Sequence, residues 1–148
     1  MIETRAFERR LEALAKIVAF CDEALGGHGL AEADRMTLDF AIEELFTNML
    51  KYSPAGIEPV RITLEGAPGD GVAVTLVDRG VERFDVTAAP DADTALSLER
   101  RQPGGLGLHL VRRLVGEWSY EYRAAARESR IRFRVPRRSE TARGGQRC

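Results

Sequence analysis

Apolar residues recur along this 148-residue chain with two periods, and the switches between them lay out its elements. Residues 9–25 carry Leu11, Leu14, Ile17, Val18 and Leu25 at helical spacing, and Gly26-Gly27-His28-Gly29 ends that run. A second and longer helix is predicted from near Ala31, with Glu32 and Asp34 in its first turn and apolar positions at Leu38, Ile42, Leu45 and Met49. It stops at Pro54, which biases Ser53 away from the helical region. The period then falls to two. Val60, Ile62 and Leu64 alternate with polar residues, and after a Gly- and Pro-containing turn Val72, Val74 and Leu76 alternate again, which predicts an antiparallel hairpin. A third helix follows Gly105, with apolar positions at Leu106, Leu110, Val111, Leu114 and Val115, and stops at Gly116. Trp118, Tyr120 and Tyr122, then Ile131, Phe133 and Val135, mark two more strands, and residues 2–7 a short edge strand.

These elements predict an α+β two-layer sandwich: one sheet of four or five mostly antiparallel strands with helices on one face. Residues 1–136 form one domain, and the polar residues 137–148 read as a disordered tail. Residues 85–103, rich in Ala and Asp, with one short helical piece around 92–100, make a connection long enough to be a lid.

Composition narrows the partners. At 44% hydrophobic and 30% charged the chain has material for a single core, and a net charge of −1 leaves no overall electrostatic footprint for nucleic acid. Cys21 and Cys148 are no disulfide framework, which implies a reducing compartment. No window has the run of about 18 apolar residues that a membrane span needs, so a cytoplasmic protein is expected. Arg130, Arg132 and Arg134 share one face of the last strand, either solvated or offered to an acidic partner. His28, in its glycine-rich loop, is expected to be solvated, and His109 to be core or surface.

Three stretches carry candidate chemistry. On the second helix Phe40, Glu44 and Asn48 lie four residues apart, with Lys51 and Tyr52 near the same line, so a carboxylate, an amide and an ammonium stack along one side. Taken alone, this is equally the polar face of an amphipathic helix. Val77-Asp78-Arg79-Gly80-Val81-Glu82-Arg83-Phe84-Asp85 puts an acid and a glycine at a strand end. Gly104-Gly105-Leu106-Gly107-Leu108 opens a helix, whose first amides are a ready anion site. A Rossmann reading fails because Leu110 stands where the third glycine would be, and no Gly-Lys-Ser/Thr marks a P-loop.

In this order the three stretches resemble the N, G1 and G2 boxes of the GHKL ATP-binding superfamily. The short chain and the Asp-x-Gly-x-x-Phe-Asp form of the second box are most similar to the anti-sigma factor serine-protein kinases, over roughly residues 5–135. The resemblance implies ATP and Mg2+ as cofactors. By it, Asn48 is the magnesium ligand, Glu44 the general base, and Lys51 a phosphate contact. Asp78 accepts from the adenine amino group, with Gly80 and Phe84 beside the base, and Gly104, Gly105, Leu106, Gly107 and Leu108 cradle the phosphates. It implies a kinase that phosphorylates a serine on an anti-sigma antagonist protein and sequesters a sigma factor or other effector, acting as a homodimer through the N-terminal strand. The alternative is a non-catalytic, ATP-dependent partner-binding module. Partner choice is expected to fall to an Arg-rich helix over residues 5–10 and to Arg100 and Arg101. The sequence departs from the family's pattern at Tyr52, where a His or similar residue is common. It departs again at Ala124-Ala125-Ala126-Arg127-Glu128-Ser129, which lacks the usual Gly-Thr or Gly-Asn pair.

Overall fold

Strand alternation decides which side chains go inward, and it does so consistently across the sheet. In β2 (Val60–Gly66) Val60, Ile62 and Leu64 are buried, in β3 (Val72–Arg79) Val72, Val74 and Leu76, and in β5 (Glu128–Val135) Ile131, Phe133 and Val135. The register puts these residues directly across from one another, Ile62 opposite Leu76 and Leu76 opposite Ile131, so they form one apolar face. β1 (Ile2–Phe7) extends the sheet beyond β2 and β4 (Trp118–Arg123) beyond β5, giving five antiparallel strands in the order β1-β2-β3-β5-β4. This is a computed structural model, and it describes residues 1–66, 70–83 and 105–137. Phe84, Gly104, the predicted lid with its helical piece at 92–100, Arg100 and Arg101, and the tail beyond residue 137 lie outside the described residues.

Among the described residues, three helices cover the apolar face: α1 (Ala13–Leu25), α2 (Glu32–Tyr52) and α3 (Gly105–Leu114). α2 sends Leu38, Ala41, Ile42, Leu45, Phe46 and Met49 into the core, and α1 contributes Ile17, Phe20, Cys21 and Leu25. At roughly 1.5–3 kcal/mol for each large apolar side chain removed from water, this layer is the main source of the fold's stability. The result is the α+β sandwich with helices on one face that the patterning predicts. Among the described residues, no helix is long and apolar enough to cross a membrane.

The sheet's other face is charged and internally paired. Arg130 meets Glu128 at 3.1 Å, Arg132 meets Glu65 at 3.3 Å, and Arg134 meets Asp70 at 2.7 Å. The three arginines thus face solvent with acids of the chain's own beside them.

Several expectations need correction. No helix spans residues 5–10: Arg5 belongs to β1, and residues 8–12 make a tight turn in which the Arg10 amide donates to Glu8 O at 2.8 Å. α1 consequently starts at Ala13, four residues later than the apolar spacing suggests. His28 is buried rather than solvated, its Nε2 sitting 3.0 Å from Asp70 O. Of the apolar positions expected around α3, Val111 and Val115 are buried, but Leu110 and Leu114 stay 48% and 43% exposed, and Leu108 faces inward with the two valines.

Phe46 is fully buried in the middle of α2. Phe46→Ala is expected to cost about 3–5 kcal/mol of unfolding free energy. Urea denaturation checks this, and a loss under about 1 kcal/mol would contradict the core described here.

Candidate functional site

Burying one stripe of α2 fixes the helix's rotation, and that rotation decides where its polar residues point. Leu38, Ile42, Leu45 and Met49 are pinned against the sheet, which leaves Glu44 and Asn48 at the border of the buried stripe. Asn48 is 4% exposed. Its Nδ2 donates back to Glu44 O at 2.6 Å, so the other end of the amide, Oδ1, is held in a defined direction. Oδ1 is buried and has no hydrogen-bond partner among the described residues. Leaving an acceptor bare costs about 1–3 kcal/mol, so this atom is set to meet a donor or a cation.

Glu44, one turn earlier, is half-buried, and its carboxyl lies against the start of α3. A β-carbon at Gly107 would land on the Glu44 carboxyl group, so the missing side chain is what lets the two helices approach here. Burial pushes the Glu44 carboxyl above the usual range, and the neighbouring Glu43 adds to the rise. The first turn of α3, Gly105, Leu106, Gly107 and Leu108, supplies amides without intrahelical partners and the positive end of the helix dipole. Leu108 offers only its backbone, because its side chain is in the core. Lys51 is exposed, with its Nζ 5.4 Å from the centre of the Tyr52 ring, on the same helix but outside the Glu44 and Asn48 group.

Asp78 follows the alternation of β3 and therefore points inward, at 1% exposure, among positions that are otherwise apolar. A buried carboxylate requires a partner, and Arg9 supplies it: Nη1 donates to Asp78 Oδ1. Nη2 of the same guanidinium donates to Met49 O at 3.1 Å and Ser53 O at 2.9 Å, the carbonyls that end α2. Burial pushes the Asp78 carboxyl up, Arg9 opposes that, and Glu58 adds to the rise; burial is the largest influence and the net direction is upward.

Just beyond Asp78, Gly80 takes a left-handed φ of 70°, which turns the chain off the strand. The turn is then clamped from the β4–β5 hairpin: the Val81 amide donates to Arg127 O at 3.1 Å, and the Tyr122 hydroxyl donates to Val81 O at 2.8 Å. Ser129, buried directly across from Asp78, sits 3.3 Å from the Tyr120 hydroxyl. The hairpin that lacks a Gly-Thr pair thus brings a serine beside the inward acid.

Glu44, Asn48, Gly107 and the start of α3 are therefore brought together, and Asp78 and Gly80 are linked to the far end of α2 through Arg9. Sequence reading missed Arg9 and Ser129. An acid at the inward position of an apolar strand does signal that a cation must meet it, but nothing in the pattern says which arginine does. A separate cleft of about 340 Å3 lies at the other end of β3, lined in part by Glu65, Asp70, Trp118, Arg132 and Arg134. Its charges already pair with one another, so it makes no comparable demand for a ligand.

The family described as histidine kinase-like ATPase domain matches residues 7–135 of this chain. The chain is similar in structure to the RsbU and RsbW domains of Rv1364c from Mycobacterium tuberculosis, with a TM-score of 0.61 at 16% identity over 90% of its length, and it spans 32% of that protein's chain. It is also similar to a chain of the SiaB-SiaC complex from Pseudomonas aeruginosa, with a TM-score of 0.57 at 13% identity, covering 90% of this chain and 89% of that one. At these identities the likeness is one of fold. No curated protein matches the sequence.

The half-buried setting of Glu44 has a measurable consequence. In a carboxyl-carbon NMR titration its midpoint should lie above the ordinary glutamate value of about 4.3; a midpoint at or below that value would contradict the burial described. The folded chain keeps this proton to higher pH than the unfolded one. The stability it contributes is therefore full below the unfolded value and is lost as pH rises through the folded one.

Proposed function

Because the chain belongs to the histidine kinase-like ATPase domain family, we propose that Glu44, Asn48, Asp78 and the start of α3 bind Mg-ATP and that the protein is a serine-protein kinase of the anti-sigma type. The observation that carries this reading is the bare, buried Oδ1 of Asn48, one helical turn from the Glu44 carboxyl. Magnesium keeps several waters and takes only one or two protein ligands, and a single amide oxygen aimed from a rigid helix suits that demand. Bound there, the ion would neutralise charge on the phosphate oxygens during transfer.

The remaining roles are those that the resemblance to the family's boxes implies. The amides of Gly105, Leu106, Gly107 and Leu108 hold phosphate oxygens at the helix N-terminus, with Gly104, outside the described residues, assigned to the same cradle and Lys51 as a point charge. Asp78 accepts a hydrogen bond from the adenine amino group and Gly80 lets the backbone approach the base, and Phe84, outside the described residues, is the residue that the resemblance assigns beside it. Glu44 takes the proton of the attacking serine hydroxyl, and its raised affinity for that proton makes it a better base near neutrality than an ordinary carboxylate. In the transfer the serine oxygen bonds to the γ-phosphorus, the bond from that phosphorus to the β–γ bridging oxygen breaks, and ADP leaves.

The serine belongs to an antagonist protein, and the chain's other partner is a sigma factor or similar effector, held in the cytoplasm by a homodimer. β1 supports that last point, since it is one of the two edge strands and among the described residues nothing pairs with its outer edge. A non-catalytic module that uses ATP only to hold a partner is the second reading, and it rests on the same bare amide oxygen without the need for Glu44.

Three substitutions separate these readings. In calorimetry, Asp78→Asn should weaken ATP binding by about 2 kcal/mol or more, and Asn48→Ala should weaken binding only when magnesium is present. With labelled ATP and a candidate antagonist, Glu44→Gln should bind nucleotide normally but transfer phosphate ~10²-fold more slowly. Transfer at the parent rate would remove Glu44 from the chemistry, and no transfer by the parent to any antagonist would favour the binding module.

A further inference from the structure

The guanidinium of Arg9 is among the most constrained groups in the molecule. Its side chain is 8% exposed and it spends its donors on three acceptors: Asp78 Oδ1, Met49 O and Ser53 O. It is also backed by Gly56, where an added β-carbon would come within 2.7 Å of Cζ and 2.8 Å of Nε. A surface ion pair would leave the arginine free to swing, whereas here the chain has removed a side chain to make room for it. The cation at the end of α2 also meets the negative end of that helix's dipole, which further holds it in place.

The chemistry of Asp78 depends on this neighbour. A carboxylate only accepts hydrogen bonds, whereas a protonated carboxyl also donates one. Burial and Glu58 both favour the protonated form, and Arg9 is the charged group that opposes them. The directly opposed residue on β5 is Ser129, which carries no charge. A carboxylate suits a purine with an amino group at the 6-position, since that group donates, and repels one with a carbonyl oxygen there. A protonated carboxyl can donate to the carbonyl and so loses the distinction.

We propose that Arg9 is a specificity-determining residue, which makes the site select a 6-aminopurine over a 6-oxopurine by holding Asp78 as a fixed, acceptor-only carboxylate. The inference rests on the reading of Asp78 as the base acceptor. Arg9 itself touches no nucleotide in this account and acts through Asp78.

The test compares ATP with inosine triphosphate, which differ at that position of the base, by calorimetry with magnesium at several pH values. In Arg9→Met the preference for ATP should fall about tenfold or more, and fall further as pH is lowered, while Arg9→Lys should recover part of it. Gly56→Ala retains the arginine but crowds it away from Asp78, and should lower the preference in the same direction, which decides the matter if Arg9→Met does not fold. If both nucleotides weaken equally in these variants, Arg9 is only structural and the inference fails. If Asp78→Asn leaves ATP binding unchanged, the assignment of Asp78 itself fails and the inference falls with it.

Discussion

The rotation of α2 about its own axis is the constraint on which the site depends. The helix buries Leu38, Ile42, Leu45, Phe46 and Met49 against the sheet, and no other rotation would hide them all. Since Glu44 and Asn48 are built on the same rigid cylinder, the apolar packing that stabilises the domain also fixes where their amide and carboxyl sit, the carboxyl against α3. Placing a site on a helix locked by its core gives its groups a precision that loops rarely have. Gly107 completes the arrangement by letting α3 come close enough for its first turn to face Glu44.

Two costs are accepted at this site and offset elsewhere. A buried acceptor without a partner at Asn48 and a buried carboxylate at Asp78 each work against folding. The first is left open and the second is matched by Arg9. The difference is informative: a residue needed only for structure would be satisfied by the protein, as Asp78 is in part, whereas the Oδ1 of Asn48 has no donor among the described residues. Arg9 also joins the end of β3 to the end of α2, which ties the two parts of the site together.

Much of this was legible in the sequence because it is written in local periodicity. The 3.6-residue repeat placed α2 to within a residue at its start, Pro54 marked its end, and period-two alternation marked β2, β3, β4 and β5, whereas β1 shows no such alternation. The four-residue spacing of Glu44 and Asn48 is enough to put both on one side of that helix. What stayed hidden depends on contacts between distant parts of the chain. Arg9 read as the first turn of a helix because Leu11 and Leu14 follow it at helical spacing, yet its guanidinium is drawn to Asp78, 69 residues away. His28 read as solvated because its loop is rich in glycine, yet its ring lies against Gly66 and against Asp70, 42 residues further along the chain. Leu110 and Leu114 are apolar but half-exposed, since hydrophobicity alone does not say which side of α3 meets the sheet.

The most direct test of the account is a crystal structure with magnesium and a non-hydrolysable ATP analogue. Asn48 Oδ1 should coordinate the ion at about 2.0–2.1 Å, with the γ-phosphate beside Glu44 and the adenine amino group against Asp78. An analogue bound elsewhere, or bound here with Asn48 Oδ1 turned away from the metal, would contradict it.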